Sequence, residues 1–222
     1  MNIYVNGCSH SCGTALSLDN DLTKAWPYLI TGSVINDCKQ GSSNDKIFRE
    51  TIEFILSSKI PVDKVVIQFT ALDRFDSPNY THHPRSSYKN AKKFSRFYQT
   101  FFGKSEENDK QLSHKLINQM YALQCILLEH GISDWLFISW FALDQSYTTY
   151  KHLDKSKLIV EAQEKLFDLG YKHCSLFDTK RNKPDGHFQA DAHQQIAEWI
   201  NSGYSVENQK GIYYPEIENV YT

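Results

Sequence analysis

The chain has 222 residues, 41% of them hydrophobic and 23% charged, with a formal net charge of -2. That length buries a full core within one domain, and so slight a charge supplies no field to draw the protein onto nucleic acid or an acidic membrane. The five cysteines are scattered and form no C-x-x-C pair, which suggests neither a disulfide framework nor a zinc ribbon.

Asn2-Ile3-Tyr4-Val5 carries no cationic leader and runs directly into a strand-like segment. No apolar run approaches the roughly 18 residues of a membrane span. The expectation is a protein that is cytoplasmic where it is made, without a membrane partner; association with a virion would leave the same features.

Five short runs rich in β-branched and aromatic residues read as strands, at 3–6, 33–37, 64–70, 135–140 and 173–177. Val65-Val66-Ile67 and Leu136-Phe137-Ile138 are continuous rather than alternating, as strands buried on both faces are. Helical patterns lie between them. Ile47, Ile52 and Ile55-Leu56 follow the capping candidates Ser42-Ser43-Asn44-Asp45. Leu112, Leu116, Met120, Leu123 and Leu127 step at three and four residues before Gly131. A charged helix is predicted over 154–169, ended by Gly170, and a last one over 190–200.

Strand-helix alternation implies a parallel sheet between helical layers, a three-layer αβα sandwich of five strands. Ligand sites in such sheets lie at the carboxyl ends of the strands. The main domain is expected over 1–203. Residues 73–108 are too long for a plain connection and read as an insertion, or lid, over that active edge. Within it Lys89, Lys92, Lys93 and Arg96 share one helical face, and Phe94, Phe97, Tyr98 and Phe101 another. Single-strand binding wants cations interleaved with stacking rings, so nucleic acid is not expected as a partner. Residues 204–222 form a Tyr-rich tail that packs on the body or on a second copy, a route to a homo-oligomer.

Three segments carry candidate chemistry. In Gly7-Cys8-Ser9-His10-Ser11-Cys12-Gly13 the first strand ends in Gly-x-Ser. Gly7 allows a sharp turn that presents Ser9 at the strand's carboxyl end, with following N–H groups toward a developing oxyanion. An ordinary turn with a capping serine fits the same segment taken alone. Near the other end, Pro184-Asp185-Gly186-His187 leads toward the final helix. A serine hydroxyl needs a base, and the base a carboxylate to orient it; Asp185 and His187 on one loop supply both, though a solvated turn has the same composition. The third segment, Gly41-Ser42-Ser43-Asn44, opens a helix and offers the Gly41 N–H as a second oxyanion donor, or simply a cap.

In order and spacing these blocks resemble the SGNH (GDSL-like) hydrolase superfamily: a serine after strand one, a glycine after strand two, an Asn after strand three and an Asp/His pair near the end. Cys8 stands where the family usually has Asp. Gly7-Cys8-Ser9, Ala25-Trp26-Pro27, Gly41-Ser42-Ser43-Asn44 and Thr70-Ala71-Leu72-Asp73-Arg74 look more narrowly like a branch common in phage genomes. The resemblance covers about residues 1–75 and 184–200. It implies a flavodoxin-like sheet, Ser9 as nucleophile, His187 as base and Asp185 as its orienting carboxylate. It also implies oxyanion donors at Ser9 and Gly41, and hydrolysis of an ester, such as deacylation of a carbohydrate or another small hydroxylated substrate, without a cofactor.

The chain departs from the family at its third block. Thr70-Ala71-Leu72-Asp73 follows strand three with no asparagine in register, and losing one such donor costs on the order of 3 kcal/mol. Thr70 and Asn44 are the candidate substitutes. Arg74 is a candidate for holding an anionic or hydroxylated substrate, with a surface ion pair as the alternative. His193 is the rival base, but its place inside the last helix suits packing. Cys8, His10 and Cys12 match no common metal spacing. The competing functional reading is a non-catalytic binding or structural protein, for example virion-associated and glycan-binding, on the same scaffold.

Overall fold

The computed structural model describes residues 1–13, 16, 21–72, 74–77, 80–82, 106–171, 177–178, 183–184 and 187–203. Strands β1 (Asn2–Asn6), β2 (Ser33–Asn36), β3 (Lys64–Phe69), β6 (Asp134–Ser139) and β7 (Leu158–Ile159) form one parallel sheet. Their order is β2-β1-β3-β6-β7. Two short antiparallel ladders stand apart from it, β4 (Phe75–Ser77) with β5 (Tyr80–His82) and β8 (Phe177–Asp178) with β9 (Lys183–Pro184). The helices are α1 (Trp26–Leu29), α2 (Asn44–Ser57), α3 (Glu106–Glu129), α4 (Ala162–Asp168) and α5 (Ala190–Asn201).

The continuous apolar strands are explained by two cores, one on each face of the sheet. Side chains of a strand point alternately to opposite faces. Tyr4, Val65, Ile67, Phe69, Trp135 and Phe137 therefore pack with Ile47 of α2 and with Leu116, Met120, Leu123 and Leu127 of α3. Ile3, Val5, Val66, Leu136 and Ile138 face Trp26 of α1, Leu166 of α4 and Ala192, Ile196 and Ile200 of α5. Each fully buried residue such as Ile67 or Phe137 contributes about 1.5–3 kcal/mol over its exposed state. The α/β three-layer architecture expected from the sequence is the one observed.

The fifth strand differs from expectation. Leu158–Ile159 closes the sheet beside β6, within the stretch read as a charged helix. Only Ala162–Asp168 of that stretch is α-helical. Lysines before and glutamates after Leu158-Ile159-Val160 imitate a charged amphipathic helix, yet both residues of β7 are buried, and tertiary burial decides the conformation. The segment 173–177 lies mostly outside the described residues, and Phe177 pairs with Pro184 rather than with the sheet. The insertion's basic and aromatic faces and the tail also lie outside them. Among the described residues no helix is long and apolar enough to cross a membrane.

Candidate functional site

Strand order reverses between β1 and β3, and the crevice at the carboxyl ends of these two strands is the switch point of the sheet. Three loops converge there, following β1, β2 and β3.

The first loop is set by what anchors Gly7. Asn6 is fully buried; its Oδ1 accepts the Gly7 N–H at 2.7 Å, while its Nδ2 donates to the Ile47 carbonyl (3.3 Å) and to Thr51 Oγ1 (3.2 Å). The end of β1 is thus tied to α2. The chain then makes one tight turn, with the N–H groups of Ser11 and Cys12 both donating to the Cys8 carbonyl at 3.0 and 3.1 Å. A side chain at position 7 has no room, since a Cβ would lie 2.1 Å from Ser11 Oγ. Ser9 sits on this turn and is 4% exposed. Beneath the turn lies Gln68 of β3, whose Oε1 accepts from the Ser11 hydroxyl and, at 3.2 Å, from the Trp26 indole N–H.

The second loop runs alongside. The Lys39 N–H donates to the Gly7 carbonyl at 3.1 Å, and the Ser42 N–H to the Lys39 carbonyl at 3.2 Å. Gly41 follows with φ +78°, a left-handed conformation that glycine adopts without penalty, and nothing lies within 4 Å of where its Cβ would be. Ser43 then caps α2, its side chain accepting the Lys46 N–H at 3.1 Å.

The third loop is held by Asn44. Its Oδ1 accepts the Thr70 N–H at 2.8 Å and its Nδ2 donates to the Thr70 carbonyl at 3.2 Å. Both ends of this buried amide are therefore spent on bracing the end of β3, a different task from the oxyanion donation considered from the sequence. The Thr70 N–H is occupied by the same clamp. Arg74 follows, and its Nη1 lies 3.4 Å from the Ser42 carbonyl.

His187 stands just before α5 and faces the first loop. Its ring packs on that of His10, the residue after Ser9, with centroids 4.5 Å apart and planes inclined by 36°. His10 in turn packs on Trp140 at 4.5 Å, and Trp140 meets Phe188 edge-on at 5.7 Å. Asp185 lies outside the described residues. His193, the rival base, is a packed histidine: its Nδ1 accepts the Trp26 N–H at 3.3 Å. Burial, with a smaller contribution from the charge of nearby His187, pulls its pKa down to about 4. At neutral pH it is an uncharged part of the core.

Burial also pushes the Cys38 thiol well up, reinforced by the neighbouring thiols of Cys12 and Cys8. Among the described residues no group of three His, Cys, Asp or Glu side chains is arranged to hold a metal ion. Sequence reasoning assigned nothing to the His10 stack, to Gln68, or to a second histidine–carboxylate pair, His114 Nε2 with Asp144 Oδ2 at 2.7 Å. In each case the partners lie far apart in the chain, and only His10, adjacent to Ser9, carries a local cue.

No family model matches the chain, and no curated protein matches it. Among solved structures it is similar to one from Desulfitobacterium hafniense DCB-2, named as a lipolytic protein of the G-D-S-L family. The identity is 10%, the TM-score 0.38, and the match covers 91% of this chain and 98% of that one. The fold assignment stands on the strand order itself, and the chemistry on this chain's own residues.

Proposed function

We propose that the protein is a serine hydrolase of the SGNH type that cleaves an ester, with Ser9 as nucleophile and His187 as general base. The observation that carries this reading is the packing of His187 against His10, which brings a histidine from the C-terminal end of the chain onto the turn that bears Ser9. In this mechanism His187 accepts the Ser9 proton as the hydroxyl attacks the ester carbonyl. The N–H groups of Ser9 and Gly41 receive the tetrahedral oxyanion. Asp185 orients the imidazole and stabilises its protonated form. His187 then protonates the departing alkoxide, and water activated by the same base releases the acyl group from Ser9. A removable acyl group on a carbohydrate or similar hydroxylated molecule is the substrate class we assign.

The test is turnover of p-nitrophenyl acetate by the wild type and by Ser9→Ala, with active-serine labelling by a fluorophosphonate. Labelling at Ser9 and loss of turnover in the variant are expected. Unlabelled protein with equal release from both would sink the catalytic scheme.

A second reading is supported by the commitment of Asn44 to Thr70, which removes one of the two residues considered as replacements for the third-block donor. On that reading the scaffold binds a glycan without cleaving it. Retention on a glycan array together with absent labelling would favour it.

A further inference from the structure

Among the described residues no carboxylate pairs with Arg74. Among those residues its side-chain hydrogen bond is the long contact from Nη1 to the Ser42 carbonyl, and its Nε is buried without a partner there. Beside it Ser42 is fully buried, and its Oγ likewise has no hydrogen-bond partner. Unsatisfied buried donors are costly and uncommon, and two in adjoining residues call for a shared acceptor.

The surroundings specify what that acceptor is. Ser42 lies two residues ahead of α2, a 14-residue helix whose N-terminus carries partial positive charge. A guanidinium at that end opposes the helix dipole unless an anion sits between them. The nearby acid, Asp45, is already engaged by Lys115 Nζ and Gln119 Nε2, each at 2.7 Å. Lys115 and Asp45 line the same cleft as Arg74, so among the described residues its wall holds two cations against one carboxylate. The space enclosed is about 20 Å³, room for one oxygen-sized group entering from the open side. Ser42 adjoins this cleft through the contact of its carbonyl with Arg74, and Gly41, whose Cβ position is open, precedes it in the chain.

We propose that Arg74 and Ser42 form a subsite for an oxoanion, and that the protein's substrate carries a carboxylate or comparable anionic group beside the ester to be cleaved. This rests on the hydrolase reading for the ester, while the anion site stands on Arg74 and Ser42 alone. The guanidinium donates charge-assisted hydrogen bonds to the anion, and the Ser42 hydroxyl donates a further one. Placement beside Gly41 and after β3 puts the anion at the same edge as Ser9.

The probes are 3-acetoxybenzoate and its neutral methyl ester, compared by the ratio of their kcat/KM values. Arg74→Gln is expected to lower the charged-to-neutral ratio roughly ten- to a hundredfold, with Arg74→Lys intermediate. A ratio unchanged by Arg74→Gln, including equal loss on both probes, overturns the assignment. Should wild type cleave neither probe, the hydrolase reading is judged separately, by fluorophosphonate labelling and p-nitrophenyl acetate turnover. The subsite is then decided by calorimetric titration of 3-acetoxybenzoate into Ser9→Ala and into Ser9→Ala/Arg74→Gln. Binding lost with Arg74 supports the subsite, and binding that is absent or equal in the two overturns it.

Discussion

His10 lies between Trp140 and His187, with ring centroids 4.5 Å from each. The proposed base is thereby held by its face against the residue that follows the proposed nucleophile. Such packing restricts the tilt of the imidazole, and catalytic rates are sensitive to displacements on the order of 1 Å.

His10→Ala, which removes the support from both neighbours, is accordingly expected to lower kcat about tenfold or more with little change in KM. His10→Phe keeps a flat ring in the stack and restores most of the rate. Steady-state kinetics on an aryl acetate read both effects. Equal impairment by the two variants would show that the imidazole's chemistry, not its packing, matters.

A pH dependence follows from His193. Its folded-state pKa is depressed to about 4 from 6.5, chiefly by burial, so the folded protein resists the proton that the unfolded chain accepts. The contribution is complete above pH 6.5 and lost as pH falls toward 4, amounting to about 3 kcal/mol in order of magnitude. Urea midpoints measured across this window are expected to fall with acid in the wild type. In His193→Gln, which keeps an acceptor for the Trp26 N–H, the slope between pH 6.5 and 4 should flatten.

How much of this was legible in the sequence depends on the range of the interaction. The strands at 3–6 and 64–70 could be read because burial on both faces leaves continuous apolar runs, and these became β1 and β3. Ser9 and His187 could be singled out as candidates because glycine marks the turn at one and a short loop precedes a helix at the other, and His187 lies against His10 on the turn that carries Ser9. Leu158–Ile159 could not, since two residues leave no period and their charged neighbours suggest a helix. Nor could Asn44, where a capping residue and a clamp on a strand 26 positions away look alike. Gln68 within an apolar strand marks the buried amide but not its partners, Ser11 and Trp26.

The clamp gives its own prediction. Asn44→Ala leaves the N–H and C=O of Thr70 without these partners in a buried setting, at a cost of about 2–3 kcal/mol. Asn44→Asp keeps an acceptor for the N–H but sets a carboxylate against the Thr70 carbonyl, and is expected to be no better. Chemical denaturation gives the values. A loss below about 0.5 kcal/mol in Asn44→Ala would mean that water replaces the amide.

The two glycines of the crevice separate space from backbone conformation. At Gly7 a methyl group would meet Ser11 Oγ at 2.1 Å, Ser11 Cβ at 2.9 Å and Gln68 Cβ at 3.3 Å. Ser11 is itself fixed by its bond to Gln68, so the turn carrying Ser9 must move. Gly7→Ala is expected to cost about 1–3 kcal/mol from overpacking and to abolish fluorophosphonate labelling in protein that remains folded. At Gly41 a methyl group meets nothing, but φ is +78°, so Gly41→Ala costs about 1 kcal/mol through backbone strain alone. Labelling at Ser9 should survive that change, because the strain falls on the loop after β2 and leaves the Gly7–Ser11 contact intact. Labelling that survives Gly7→Ala and fails in Gly41→Ala would reverse the assignment of which loop positions the nucleophile.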